Sequence, residues 1–180
     1  MPKLIDMKKV LLLLPMLAFA FNALGQDGSK VQVGDPVPEF SVRMLDGSVI
    51  DIADLKGKVV LINFWATWCP PCRAELSRVD SEIIDRFAGE DLVFIAIARG
   101  EPREKVEDFR KITNYKFQMG LDTDSDIFNK FAERSIPRNY IIDRDGKIAA
   151  TYVGYDNELF QKLISDIDKT LKGESTTQEQ

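Results

Sequence analysis

The chemistry of this chain is concentrated in its two cysteines, Cys69 and Cys72, which lie in the run Trp68-Cys69-Pro70-Pro71-Cys72. Two thiols separated by two residues can close as a disulfide and reopen as a dithiol. A pair this close braces the chain little, because in the entropic account a disulfide stabilises most when it closes a long loop. The spacing therefore favours thiol–disulfide exchange over a structural role.

A strand and a helix must position these thiols. The apolar run 59–65 predicts a buried strand, and helical spacing over 70–87 predicts the helix that follows it. Cys69 is then expected at the helix N-terminus, where unpaired N–H groups and the positive end of the dipole stabilise a thiolate. Pro70 suits the first helical position. Because Pro70 and Pro71 remove two N–H donors, we expect a moderate lowering of the Cys69 pKa, which favours a reductant.

Cys72 and Glu75 continue the row that begins at Cys69, since residues three apart share a helix face. Cys69 is the expected nucleophile and Cys72 the resolving thiol that releases the reduced partner. A partly buried carboxylate at Glu75 would have a raised pKa and could accept the proton of Cys72. Spacing alone leaves a second interpretation open, in which Glu75 only complements the helix dipole.

Composition excludes several other classes of site. The chain has no His, so a Cys-His nucleophile pair and a His-ligated metal are excluded. The net charge of -5 argues against a nucleic-acid surface. A zinc ribbon lacks two of its ligands, so we expect no metal and no cofactor. A module that holds Cu(I) between Cys69 and Cys72 is the alternative of a different class, although His and Met are absent near the motif.

The N-terminal residues have the pattern of a secretory signal peptide. Lys8 and Lys9 precede the apolar run 10–21, and small residues follow at Ala23 and Gly25. We therefore predict a signal peptide over 1–25, a flexible arm over 26–33, one domain over 34–172 and a disordered tail over 173–180. An uncleaved membrane anchor is the alternative for the first segment.

The remaining pattern predicts a mixed α/β sheet with helices on both faces. The expected strands are 40–44, 49–51, 92–98, 115–119, 139–143 and 148–153, and the expected helices are 102–112, 126–131 and 157–171. The acidic run 122–126 resembles a calcium loop, but Ile127 stands where that loop needs Gly. A helix cap by Asp124 or Ser125 explains this run more simply.

The segment 64–72 resembles the active-site segment of the thioredoxin superfamily. The lead-in 34–40, the continuation through Arg73, Ala74 and Glu75, and the hairpin 141–148 are similar to its exported TlpA/ResA-like branch. The resemblance implies a thioredoxin-like mixed β-sheet flanked by helices, with an N-terminal β-hairpin and a central helix–strand insertion.

The same resemblance implies roles for individual residues. Pro137 is expected to be cis and to face the cysteines, and the backbone of Ile136 is expected to pair with an extended substrate. Trp68, Pro70 and Pro71 complete the expected substrate-binding surface around Cys69. The resemblance also favours Glu75 as the active-site acid, because Asn63 stands at the strand position where thioredoxin carries a buried Asp.

The expected function is that of a periplasmic protein-disulfide reductase. Its expected partners are disulfide-bearing proteins of the cell envelope, with apocytochromes c among the candidates, and a membrane thiol reductant that recycles it. An oxidase or isomerase of the same fold is the alternative, and reduction potential decides between them. A peroxidase is disfavoured because Thr67 lies only two residues before Cys69, which breaks the peroxiredoxin pattern P-x-x-x-T-x-x-C.

Overall fold

The computed structural model describes residues 27–176, which form one mixed sheet of seven strands flanked by helices. The strands are β1 (Ser41–Met44), β2 (Val49–Asp51), β3 (Val59–Trp65), β4 (Leu92–Arg99), β5 (Met119–Asp122), β6 (Arg138–Ile142) and β7 (Ile148–Val153). The helices are α1 (Pro70–Val79), α2 (Arg103–Thr113), α3 (Phe128–Phe131) and α4 (Asn157–Leu171), with a 3₁₀ turn at Ile52–Leu55. The strand order β2-β1-β5-β4-β3-β6-β7 confirms the thioredoxin-like sheet expected from the sequence.

Strand β3 lies at the centre of the fold and is buried along its whole length. It runs parallel to β4 and antiparallel to β6. Its side chains alternate between two hydrophobic clusters: Leu61 and Trp65 pack with α1, α2 and α4, whereas Ile62 and Phe64 pack with α3 on the other face. The continuous apolar run that predicted this strand is thus explained by helices on both faces.

Strand β5 lies later in the chain than the sequence predicted. The expected strand at 115–119 is wrong. The rings of Tyr115 and Phe117 stack with their centroids 5.0 Å apart, and this segment does not pair with neighbouring strands before Met119. The chain enters the sheet only at Met119–Asp122, between β4 and β1. Gly120 permits this position, since a Cβ atom there would lie 2.6 Å from Cγ2 of Val42.

Two helix boundaries also differ from the prediction. The helix expected over 70–87 is α-helical only to Val79 and continues as a π-helical turn at Asp80–Ile84. Helix α3 is shorter than expected, and its cap is neither Asp124 nor Ser125. The carboxylate of Asp122, at the end of β5, accepts the N–H groups of Ile127 and Phe128 instead.

The described residues of the N-terminal arm lie against the domain. Ser29 forms a β-bridge with Ala132, and its hydroxyl accepts a hydrogen bond from the guanidinium of Arg138 at 2.7 Å. Arg138 is fully buried, and it also donates to the carbonyl of Asp27. A buried guanidinium needs acceptors, and the described part of the arm supplies two of them, the Ser29 hydroxyl and the Asp27 carbonyl.

The predicted signal peptide lies outside the described residues, as does the end of the predicted tail. Of that tail, residues 173–176 are described, and the hydroxyl of Thr176 donates to the carbonyl of Ala149. Within residues 27–176, none of the helices combines the length and the apolar character that a membrane span requires.

Candidate active site

The two cysteines form a disulfide at the N-terminus of α1, with an S–S distance of 2.02 Å. Strand β3 ends at Trp65, and a short turn closed by a hydrogen bond from the Cys69 N–H to the Ala66 carbonyl leads into the helix. Cys69 is the N-cap residue, and its Sγ accepts the N–H of Cys72 at 3.3 Å. Cys69 is 3% exposed and Cys72 is fully buried, so Cys69 carries the sulfur closer to solvent.

The two prolines after Cys69 reduce the number of backbone N–H groups that can donate to its sulfur. Pro70 and Pro71 occupy the first two positions of α1. Neither residue has an N–H group, so the Cys72 N–H is the backbone donor available to the Cys69 sulfur, as the sequence indicated. A thiolate at Cys69 therefore gains the helix dipole and one direct hydrogen bond.

A loop before β6 faces the cysteines from the opposite side. The Ile136–Pro137 peptide bond is cis, the geometry that the family resemblance implied. The Ile136 carbonyl oxygen lies 3.9 Å from Sγ of Cys69, and the Pro137 carbonyl accepts the N–H of Gly154 at 2.8 Å. Among the described residues the Ile136 N–H has no backbone partner, so this group is available to a docked strand.

The residues expected to bind substrate surround Cys69 unevenly. Trp68 is 64% exposed, and Pro70 and Pro71 are also exposed. Ile136 is half-buried, whereas Pro137 is buried behind it. The structure thus places Ile136 next to the Cys69 sulfur and leaves Trp68, Pro70 and Pro71, which flank Cys69 in the chain, open to solvent.

Glu75 is the centre of a buried polar network one helical turn beyond Cys72. The side chain is 2% exposed, and its Oε1 accepts a hydrogen bond from Nδ2 of Asn139 at 2.6 Å. Its Oε2 accepts a second bond from Nδ2 of Asn63 at 3.1 Å. Asn63 also donates to Oδ1 of Asn139 at 2.8 Å, so the three side chains are mutually bonded.

The environment of Glu75 moves the pKa of its carboxyl towards neutral pH. Burial raises the pKa of Glu75 from the ordinary 4.5 to about 7, and the hydrogen bonds from Asn139 and Asn63 act in the opposite direction. Without these two hydrogen bonds, burial would destabilise the ionised form of Glu75 more strongly. Glu75 can therefore be protonated slightly below pH 7 and ionised slightly above it.

Asn139 is a member of the site that the sequence analysis missed. It lies opposite Asn63 in the antiparallel pairing of β3 and β6, 76 positions away along the chain. The available signal was a pair of amides, each at an interior position of an otherwise largely apolar strand. A buried polar side chain needs a partner, so each Asn could have predicted the other once the strand pairing was known.

The described residues offer no alternative metal centre, since no group of three or more His, Cys, Asp or Glu side chains converges among residues 27–176. The two sulfurs, which a Cu(I) module would require as ligands, are bonded to each other. The arrangement can transfer two electrons by opening and closing one disulfide.

Comparisons with known proteins agree with this chemistry. Residues 33–151 match the model of the AhpC/TSA family. The chain is 34% identical over 128 residues to a thiol-disulfide oxidoreductase ResA of Bacillus cereus, and the match covers 71% of this chain and 73% of the relative.

Two solved structures extend the similarity to the whole domain. A solution structure from Bacteroides thetaiotaomicron, described as a candidate protein disulfide isomerase, has a TM-score of 0.76 and 38% identity, and the match covers 81% of this chain and 93% of that one. The pneumococcal exposed lipoprotein thioredoxin of Streptococcus pneumoniae has a TM-score of 0.61 and 27% identity, with 76% and 99% of the two chains covered.

Proposed function

We propose that this chain, which belongs to the AhpC/TSA family and is a thiol–disulfide oxidoreductase of the thioredoxin fold, reduces disulfides of exported proteins. Cys69 and Cys72 supply the two electrons, and Glu75 accepts the proton of Cys72. The observation that carries the proposal is the Cys69–Cys72 disulfide at the N-terminus of α1, with the buried Glu75 carboxyl one helical turn beyond the inner cysteine.

The first step uses the outer sulfur. In the reduced protein the Cys69 thiolate attacks one sulfur of a substrate disulfide, forms a mixed disulfide and releases the other substrate sulfur as a thiolate. The N–H of Cys72 and the dipole of α1 stabilise the attacking thiolate. The Ile136 carbonyl lies 3.9 Å from the Cys69 sulfur, and the N–H of the same residue has no backbone partner among residues 27–176. Both groups support docking of an extended substrate segment by backbone hydrogen bonds.

The second step uses the inner sulfur. Cys72 transfers its proton to Glu75 and attacks Sγ of Cys69, which closes the protein disulfide and releases the second substrate sulfur as a thiolate. The substrate thereby gains two electrons and the protein loses two. A membrane thiol reductant must then return two electrons to the pair before another cycle.

The helix start supports the reducing direction. A strong oxidant stabilises its reduced form through an acidic outer thiol. Here Pro70 and Pro71 remove two donors from the first turn, and one N–H remains for the Cys69 sulfur. We therefore expect a moderate thiolate stabilisation and a reduction potential closer to that of thioredoxin, about -270 mV, than to that of DsbA, about -120 mV.

The location and partners belong to the same proposal. The leader pattern over 1–25 and the similarity to an exposed lipoprotein thioredoxin support a place in the cell envelope, with the periplasm as the proposed compartment. Disulfides form in such oxidising compartments. The proposed substrates are disulfide-bearing envelope proteins, and apocytochromes c are the candidates suggested by the branch that the chain resembles.

Insulin reduction with dithiothreitol as the electron source tests the proposal. The purified chain should precipitate the insulin B chain faster than dithiothreitol alone, and Cys69→Ser should abolish this acceleration. Equilibration in glutathione buffers measures the potential in parallel. A value near that of DsbA would contradict the reducing direction and support the oxidase alternative, while inactivity of the wild-type protein would contradict the whole proposal.

A further inference from the structure

Glu101 is a second buried acid near the cysteines, and the exchange steps above do not use it. It follows β4 after Gly100, in the loop that leads to α2, and it is only 2% exposed. Its Oε2 accepts the N–H of Thr67 and its Oε1 accepts the hydroxyl of the same residue, both at 2.6 Å. Thr67 lies two positions before Cys69. One carboxylate therefore holds both donors of a single residue in the active-site turn.

No cation explains this burial. Among the ion pairs formed by residues 27–176, none includes Glu101. A buried carboxylate is costly unless charged or polar groups compensate it. Here the compensation comes from Thr67 and from the nearby N-terminal end of α1, whose dipole is positive. The chain thus retains a buried acidic side chain next to the turn that presents Cys69.

The turn depends on few other contacts. It spans residues 66–69 between β3 and α1, and its own backbone contributes the bond from Cys69 N–H to the Ala66 carbonyl at 3.2 Å. Without Glu101, the half-buried Thr67 would lose the acceptor of its N–H and the acceptor of its hydroxyl. An unsatisfied N–H favours rearrangement of the turn, and such a rearrangement would move Cys69.

We infer that Glu101 is a positioning residue for disulfide exchange: it holds Thr67, and through Thr67 it fixes the turn that presents Cys69 to the substrate. This inference rests on the proposed role of Cys69 as the nucleophile. Misplacing a reacting atom by about 1 Å can cost roughly 100-fold in rate. The bidentate contact keeps the turn in one conformation while the disulfide opens and closes.

The charge of Glu101 has a second effect on the same sulfur. A carboxylate near the N-terminal end of α1 opposes the dipole, so it disfavours the Cys69 thiolate. The helix that begins at Cys69 also carries Arg73 and Glu75. Arg138, in the strand that follows Pro137, directs its guanidinium to Asp27 and Ser29. Removing the Glu101 charge should therefore favour the Cys69 thiolate over the thiol.

Three variants separate positioning from charge. Glu101→Gln keeps an oxygen for the Thr67 N–H and removes the charge, Glu101→Ala removes both, and Thr67→Val removes only the hydroxyl contact. Glu104→Gln is the matched control, because Glu104 is an exposed acid in the first turn of α2. The readouts are insulin reduction and the pH dependence of iodoacetamide alkylation of the reduced protein.

We expect Glu101→Ala to lose roughly tenfold in kcat/KM, with Thr67→Val intermediate and Glu101→Gln within about twofold of wild type. The alkylation midpoint should fall to lower pH in Glu101→Gln and stay unchanged in Glu104→Gln. If Glu101→Ala fails to fold, Glu101→Gln and Thr67→Val still decide the question through alkylation and kcat/KM.

Two results would overturn the inference: wild-type kcat/KM in Thr67→Val and Glu101→Ala, or a wild-type alkylation profile in Glu101→Gln. A purely structural role would reduce stability in Glu101→Ala without moving the alkylation midpoint of Glu101→Gln. Failure of the proposed function itself is seen separately, because either the wild-type protein would then fail to accelerate insulin reduction or Cys69→Ser would retain that activity, whatever the Glu101 variants do.

Discussion

Replacing Glu75 with glutamine should change how the stability of the oxidised protein depends on pH. Because burial raises the pKa of Glu75 in the folded state, the folded protein favours the protonated carboxyl. Its contribution to stability is fully present below the unfolded pKa of 4.5 and is lost as pH rises through about 7. The amide that replaces the carboxyl has no proton to lose in this range, so the variant lacks this dependence.

The size of the effect follows from the two pKa values. The difference between about 7 and 4.5, at about 1.36 kcal/mol per pKa unit, corresponds to about 3 kcal/mol. Solvent screening reduces this figure little, because the Glu75 side chain is only 2% exposed. The free energy of unfolding of wild type minus that of Glu75→Gln should therefore fall by about 3 kcal/mol between pH 4.5 and pH 8, and most of the change should lie between pH 5 and pH 7.

Urea unfolding of the oxidised proteins, followed by tryptophan fluorescence at five or six pH values, measures this difference. The oxidised form is required because a closed disulfide does not titrate. Glu104→Gln, at an exposed position on α2, controls for the loss of one surface charge and should show no such pH dependence relative to wild type. A difference between wild type and Glu75→Gln that stays flat over the whole range would refute the buried, raised carboxyl and with it the proton-acceptor role.

Three further outcomes are expected. Cys72→Ser should trap a mixed disulfide with insulin that is visible on a non-reducing gel, because the first attack proceeds and the resolving thiol is missing; rapid release of free insulin chains would contradict the order of the two steps. Asn139→Leu should raise the pKa of Glu75 above about 7, because it removes the 2.6 Å hydrogen bond from Asn139 to the carboxylate. The pH midpoint of the exchange rate should therefore increase, and an unchanged midpoint would argue against the role of the network. Gly120→Ala should destabilise the protein by about 1–3 kcal/mol in urea unfolding, since its Cβ would lie 2.6 Å from Cγ2 of Val42; Val42→Ala in the same chain should recover part of the loss, and additive losses would contradict the clash.

The sequence by itself determined the reactive part of this protein. Cys69, Cys72 and Glu75 lie within seven residues, so their relation depends on one local element. Once the strand at 59–65 and the following helix were predicted, helical geometry placed the three side chains in one row. Cys69 as the N-cap, and the prolines in the first turn, followed from the same local rules.

Only the tertiary structure decided what surrounds that row. Sequence spacing left Glu75 between two roles, and the choice depends on burial and on amides from two strands, Asn63 on β3 and Asn139 on β6. Asn139 stands 64 positions from Glu75, and Glu101 stands 34 positions from Thr67. The strand expected at 115–119 lies at Met119–Asp122 instead, and its position depends on pairing with β4 and β1, which are distant in the chain.

Contacts of this kind depend on which strands pair and in which register, and neither property is encoded within a short window of sequence. A helix brings residues together through bonds four positions apart, so its face can be derived from the order of residues alone. A sheet brings residues together across any separation, so the acids and amides that lie near the cysteine row are known only when the whole chain has folded.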